Sequence, residues 1–319
     1  MSELNQILEL VIEGLKMPVS YILNSEKRIF YVYLISSVAL AYYVYRNSKK
    51  DYSFFKYLFD KRTWLSRSAW VDYGLVFFNG LVKVFLLAPY LIFGLYLSFW
   101  VNEFLIDLFS YPTFSLSKTQ TLILFTIAIT IIGDFATYLV HWTMHKVPVL
   151  WEFHKVHHSA TTLNPITQYR IHPVELILNN IKGILVFGIT TGVFDYLSNH
   201  QIEKILFLGA NVFSFVFMFW GANLRHSSVK LKYFNFLEYI FISPFQHQIH
   251  HSNKPEHYDK NIGAKLAIWD WMFGTLVRSE NVDKIEYGLG EVEDKKLGNL
   301  WQNLIQPFAG VFNIVKSKF

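Results

Sequence analysis

No cysteine occurs anywhere in the chain, which removes disulfides, thiolate metal ligands, iron–sulfur clusters and thioether-linked haem. The same absence leaves the redox compartment open. Also missing are a serine nucleophile elbow, a glycine-rich phosphate loop, and any carboxylate at a Glu-x-x-His or His-Glu-x-x-His spacing. These gaps disfavour the carboxylate di-iron bundle and the zinc-protease helix. The N-terminus lacks the basic region, apolar core and small-residue cleavage site of a secretory signal, so no processing is expected. Only 17% of residues are Asp, Glu, Lys or Arg.

What the chain has instead is apolar surface. Its 319 residues are 52% hydrophobic and 18% aromatic, with a mean hydropathy of +0.26, more than a soluble domain carries. An integral membrane protein is the expectation. The net charge of +5 would suit nucleic acid or an anionic membrane surface. Seven cations (Arg46, Lys49, Lys50, Lys56, Lys61, Arg62 and Arg67) sit in one loop beside an apolar span. That placement favours the membrane reading, marks the loop as cytoplasmic and argues against a nucleic-acid partner.

In chain order, residues 4–16 predict an amphipathic helix, and 29–45 a first span with tyrosines at both ends. Residues 73–101, with Lys83 inside and Pro89 as a kink, predict one tilted span or a re-entrant pair. The acidic stretch 102–118 belongs on the opposite side, and 119–140 returns to deliver His141 to the side of the basic loop. A second hairpin is expected from 176–194 and 205–220, returning His226 to that side. Residues after 223 predict a cap, 280–299 a charged loop, and 300–315 an interfacial helix. The fold class expected is all-α: a polytopic membrane bundle of about four to five spans with a cytosolic, histidine-rich helical cap. Its regions are 1–118, a histidine-rich 119–278 and a tail 279–319.

Eleven of the twelve histidines lie between His141 and His251, and none precedes His141. His141 with His145, His154 with His157 and His158, and His247 with His250 and His251 are spaced three or four apart, the interval that shares a helix face. Clustered imidazoles gain nothing from packing and repel when protonated, whereas a bound cation removes both problems. These eight rings, or nine with His226, are too many for one ion with an open position. Two ions sharing them are expected. Asp134 and Tyr138 continue the stripe of His141 and His145 and are candidates to hold distal ring nitrogens or line a lipid channel. Glu152, Glu175, Glu238, Asp259 and Asp270 are further candidates. His172 stands between metal support and a capping role, and Asn261 between support through water and a turn. His200 and His257 are expected at the surface.

At these residues the sequence resembles the superfamily of fatty acid hydroxylases and sterol desaturases, membrane-bound histidine-box di-iron oxygenases. The motifs are HWTMH at 141–145, HKVHH at 154–158 and HQIHH at 247–251, in that order. NPITQYRIHPVE and NLRH lie between them, and DKNIGAKLAIWDWMFGTL follows from Asp259. The wording is similar to bacterial members and to the alkylglycerol monooxygenase branch. The resemblance implies a four-span-like membrane domain with a cytosolic cap, two Fe ions, O2, and a lipid substrate from the bilayer. Electrons would come from a separate reductase or carrier, since no fused cytochrome b5 domain is read here. The membrane would be the inner membrane of a bacterium or the endoplasmic reticulum of a eukaryote, with the histidines on the cytoplasmic side. Zn can substitute for Fe in a purified sample. The alternative is a zinc-dependent membrane hydrolase using the same cluster; a metal transporter would instead spread its histidines through the spans.

Overall fold

The computed structural model describes residues 3–48, 50–282 and 284–318 and is mostly helical; Lys49 of the basic loop lies outside the described residues. Helix α1 (Glu3–Ser20) leaves Leu4, Ile7, Leu8 and Leu15 exposed on its apolar side. Helix α2 (Tyr31–Asn47) follows, then the short α3 (Phe54–Leu58) and α4 (Lys61–Trp64), each opened by a side-chain cap from Ser53 or Asp60. The amphipathic and first-span expectations are met as helices. At 17 residues, about 26 Å, α2 is short for a hydrocarbon core of about 30 Å.

Helix α5 (Arg67–Val82) runs through a π turn at Lys83–Leu87 and a 3-10 turn at Ala88–Tyr90 into α6 (Phe93–Phe109). Pro89 has no N–H to give the ladder, so the break falls where the sequence predicts a kink. Helix α7 (Lys118–Lys146) starts at a capping box, Gln120 N–H on Ser117 Oγ and Ser117 N–H on Gln120 Oε1. Helix α8 (Pro148–His158) turns off its end, and α9 (Pro173–Ser198) leads away from the turn. Among the described residues, three runs are long and apolar enough to cross a membrane: Arg67–Phe109, Lys118–Lys146 and Pro173–Ser198.

These runs pack side by side. Helix α9 lies parallel to α6, with Gly188 against Leu97 and Gly192 against Ser98 and Val101, and Asn102 Nδ2–H donates to Asp195 Oδ2 at 2.6 Å. It lies antiparallel to α7, where Lys182 meets Thr137 and Phe125 meets Phe194. The basic loop ends at Ser66, whose hydroxyl is 2.8 Å from that of Thr162 just after α8. The loop and the histidines therefore share one end of the bundle, as the sequence predicts.

The second hairpin differs from expectation. Residues 205–220 do not form one span: β1 (Leu206–Phe207) and β2 (Ala210–Asn211) make a two-residue hairpin, followed by α10 (Val212–Phe219) of only 8 residues. Leu208 and Gly209 both take positive φ (48° and 84°), which a continuing helix cannot contain. An eight-residue helix covers about 12 Å, too little to span. The segment still climbs alongside α7, with Ile205 N–H on Thr126 Oγ1 and Asn211 Nδ2–H on Thr130 Oγ1, and returns His226 to the histidine end. The remaining chain forms the cap: a 3-10 turn at Ala222–His226, then α11 (Pro244–His250), α12 (Ile268–Phe273), α13 (Glu291–Lys296) and α14 (Leu300–Lys316). Helix α14 packs Phe308 on Phe153 and leaves Trp301, Ile305 and Phe312 exposed.

The α6–α9 seam depends on having no side chain at Gly192, where a Cβ would sit 2.4 Å from Ser98 O. Gly192→Val should lower stability by about 1–3 kcal/mol, read as a lower melting temperature in detergent; an unchanged melting curve would show that the helices do not meet there.

Candidate metal centre

Four elements bring nine histidines to one place. The end of α7 supplies His141 and His145, α8 supplies His154, His157 and His158, the 3-10 turn supplies His226, and α11 with its C-cap supplies His247, His250 and His251. Local sequence fixes each carrier. Pro148 starts α8 immediately after α7, and a Ser243–Gln246 capping box with Pro244 at the first position starts α11. Glu238 accepts from Ser243 Oγ–H and Ser279 N–H and so anchors that start.

The rings divide into two groups: His141, His145, His154, His158 and His250 in one, and His157, His226, His247 and His251 in the other. Within each, one nitrogen per ring lies within 4.8 Å of all the others. The expectation that each triplet points one way needs refinement. On an α-helix, positions i and i+4 differ by about 40° and i+3 falls about 60° to the other side. Hence His154 and His158 face one group while His157 faces the other, and on α11 His247 and His251 are separated from His250 in the same manner. The two groups touch, with ring centroids of His158 and His251 4.7 Å apart.

The proton positions follow from the outer nitrogens. His141 Nδ1–H donates to Ile262 O at 2.6 Å, His157 Nδ1–H to Arg170 O at 3.1 Å and His250 Nδ1–H to Lys260 O at 2.8 Å, while His154 Nδ1 is 3.0 Å from Glu175 Oε2. His145 Nδ1 is 3.2 Å from Asp259 Oδ1. A neutral ring that donates from Nδ1 carries a lone pair on Nε2. Yet His154 Nε2 is 3.1 Å from His141 Nε2 and 3.2 Å from His158 Nε2, and His226 Nε2 is 3.3, 3.1 and 3.2 Å from the Nε2 atoms of His157, His251 and His247. The buried Nε2 atoms of His145 and His250 have no partner among the described residues. Converging lone pairs repel unless a cation lies between them. Edges of 3.1–3.3 Å fall between those of an octahedron (about 2.9 Å) and a tetrahedron (about 3.4 Å) drawn around an ion with bonds of about 2.05 Å. The donor set fits an imidazole-bound transition metal in each group.

Electrostatics point the same way. Burial holds His154, His158, His226, His247, His250 and His251 well below the usual imidazole range and His157 down to about 3, and neighbouring basic groups add to the effect. These rings are neutral at pH 7, the form that binds metal. Asp259 is held down to about 2 by its hydrogen bonds to His145 and Lys146.

One loop carries three of the acceptors. Asp259, Lys260 and Ile262 meet His145, His250 and His141 in turn, and Asp259 and Asn261 take left-handed backbone (φ 56° and 52°) to present them. Asn261 pins the loop through Nδ2–H to Gln246 O at 3.0 Å and Oδ1 from Val277 N–H at 2.8 Å. Asp270 grips it from behind, accepting from Ile262 N–H, Gly263 N–H and Thr275 Oγ1–H, while burial pushes its carboxyl up to about 6. Both residues act on the centre through this loop rather than through water or a direct bond.

The other expectations fare differently. Asp134 reaches no histidine; it accepts from Lys265 N–H, Leu266 N–H and Trp269 Nε1–H. Tyr138 lies 3.3 Å from Thr275 Oγ1 and stacks on Phe273. His172 caps α9, taking Val174 N–H on Nδ1, and its Nε2 faces Leu304 O at 3.2 Å, outside both groups. Glu152 pairs with Lys155. His200 is exposed beside Asp195, as expected, but His257 is 5% exposed rather than superficial. Sequence reading missed the buried Asp72–Arg170 pair at 3.1 Å, which ties α5 to the strand of backbone that receives His157. Its only sequence signal is an aspartate in an apolar run, and the partner lies 98 residues away.

Residues 125–275 match the family model described as fatty acid hydroxylase. That match covers just under half of the chain. That span contains all nine clustered histidines and the loop that orients them. Among curated proteins, the alkylglycerol monooxygenase of Caenorhabditis elegans is 29% identical over 191 residues, 58% of this chain and 34% of that protein. The ornithine lipid hydroxylase of Rhizobium tropici is 28% identical over 179 residues, 56% of this chain and 49% of its own length. A Δ7-sterol-C5(6)-desaturase of Nicotiana tabacum is 27% identical over 150 residues, 46% and 47% respectively. The matched part of the chain thus spans between a third and a half of these relatives. No solved structure matches the chain.

If the acceptors on Nδ1 orient the rings, removing one weakens metal binding without removing a donor. Asp259→Asn should lower metal affinity by about 10–100-fold, measured by competition with a chelator; equal affinity would leave Asp259 a surface partner of Lys146 only.

Proposed function

We propose that residues 119–278 form a membrane-bound di-iron oxygenase unit that uses O2 and external electrons to hydroxylate, desaturate or oxidatively cleave a lipid. The observation that carries this reading is the convergence of buried ring nitrogens in two adjoining groups, one of five rings and one of four. His141, His145, His154, His158 and His250 would hold one ion, and His157, His226, His247 and His251 the other. The relatives' names, a monooxygenase, a hydroxylase and a desaturase of lipids, support the same class.

Iron in such a nitrogen-only site supplies binding and reduction of O2 and an oxidant able to take hydrogen from an unactivated C–H bond, chemistry beyond side chains alone. The chain's own residues do the rest. Glu175, Asp259 and the carbonyls of Arg170, Lys260 and Ile262 hold the Nδ1 protons, so each ring keeps its Nε2 lone pair turned inward. The centre would lie at the end of the bundle of α6, α7 and α9, where an apolar chain leaving the bilayer would reach it with one carbon foremost. Hydroxylation and desaturation part only at the fate of the carbon radical. The basic loop shares the histidine end of the bundle, which supports a cytoplasmic centre served by a separate electron donor.

His157→Ala and His250→Ala, one from each group, should abolish O2-dependent turnover and lower iron content, with helical circular dichroism unchanged. Retained iron and turnover in both variants would refute the ligand assignment, and activity with zinc under argon would refute oxygenase chemistry.

A further inference from the structure

Four basic side chains that the histidine chemistry does not use gather beside it. Arg225 immediately precedes His226 and is 2% exposed. It donates from Nη2 to Ala264 O at 2.9 Å, lies 5.2 Å from the centre of the Phe217 ring, and its Nε has no partner among the described residues. Lys265 follows Ala264. Lys182 of α9 donates to Thr137 Oγ1 at 2.9 Å and Asn179 Oδ1 at 3.2 Å. Arg28 stands before α2. Lys182 is within electrostatic reach of Lys265 and Arg28, Arg225 of Arg28, and Lys265 of Arg225 and Arg28; Arg28, Lys182 and Lys265 are half-buried.

Among the described residues, carboxylates offset them only in part: Asp134 lies within electrostatic reach of Lys182, Arg225 and Lys265, and Glu175 of Lys182. None forms an ion pair with a carboxylate. The oxygens of Asp134 are held by Lys265 N–H, Leu266 N–H and Trp269 Nε1–H, so it faces the four cations as one carboxylate without a direct ion pair to any of them. Cations that merely snorkel keep their charged heads in water and need no mutual approach. Here four approach one another, and the one most buried is an arginine with an idle donor. Such an arrangement is costly unless an anion offsets it.

We propose that this cluster receives an anionic group, phosphate or carboxylate, carried by the lipid close to the carbon that the neighbouring centre oxidises. The identity of the bound molecule as substrate rests on the lipid-oxygenase reading; the anion site itself does not. Its distance from the chemistry is short: Thr137 precedes His141 by four residues, about 6 Å along the helix, and Arg225 adjoins His226. The arrangement selects lipids oxidised near a charged head group over those oxidised in mid-chain. Arg225 supplies a planar donor fork suited to either anion, and the lysines supply point charge.

The test is binding to the full-length protein as purified, held under argon in phosphatidylcholine nanodiscs. A fluorescent lysophosphatidate should bind about tenfold tighter than a fluorescent 1-O-alkylglycerol of equal chain length. Lys182→Gln and Arg225→Gln should each weaken the anionic lipid by about fivefold or more and leave the neutral one unchanged, while Lys50→Gln in the exposed basic loop should change neither. Lys182→Gln keeps the test decisive if Arg225→Gln fails to fold. Competition by millimolar inorganic phosphate would assign the site to free small anions, and absence of competition to the lipid head group. Equal binding of the two lipids, or an equal loss in Lys50→Gln, would overturn the site. Preserved anion preference in a protein without O2-dependent turnover would refute the oxygenase reading and leave the site standing.

Discussion

Nine imidazoles gather with one nitrogen of each turned toward the others, and much of the cap serves to position them. A single buried ring would satisfy both nitrogens by hydrogen bonding. Here the outer nitrogens of five rings are satisfied or faced by an oxygen, those of His226 and His247 have no partner among the described residues, and the inner nitrogens meet other inner nitrogens or nothing. A cation bound between the inner nitrogens would satisfy this arrangement. Positioning the rings explains features that are otherwise costly: left-handed backbone at Asp259 and Asn261, a carboxylate at Asp270 buried against backbone N–H groups, and Arg170 sunk beneath α8.

The helical bundle and the cap contribute differently. The bundle fixes position, since α7 ends in His141 and His145 and α9 begins beside Glu175, so both helices deliver side chains at the same end. The cap fixes orientation, through hydrogen bonds from loops to ring nitrogens. Between the two lies the cationic cluster of Arg28, Lys182, Arg225 and Lys265, which belongs to neither task. A charged layer between an apolar bundle and a histidine-rich cap would suit the head group of a lipid whose tail remains in the bilayer.

Much of this was legible in the residues. The i, i+3 and i, i+4 histidine spacings identified the three carriers, and the NLRH histidine joined them as the sequence suggested. Glu175 and Asp259 were among the carboxylates named for ring support. What the sequence hides is anything carried by backbone. The carbonyls of Arg170, Lys260 and Ile262 have no residue signature, and Asn261 and Asp270 matter because they shape the loop that offers two of those carbonyls. The segment 205–220 misled because its aromatic residues have the hydropathy of a span, whereas the Leu208–Gly209 turn that breaks it depends on positive φ values that leucine rarely adopts. Asp134 misled in the opposite sense: its helical stripe does point toward the cap, but the cap answers with backbone N–H groups before any imidazole is reached.

The family match and the geometry meet on the same residues, and the central claim is one of stoichiometry. Titrating ferrous iron into metal-free protein under argon, and following both the bound count and the melting temperature, tests it most directly. The account predicts two tightly bound equivalents per chain, each raising the melting temperature as the facing lone pairs are bridged. Saturation at one equivalent, or two bound without stabilisation, would contradict it.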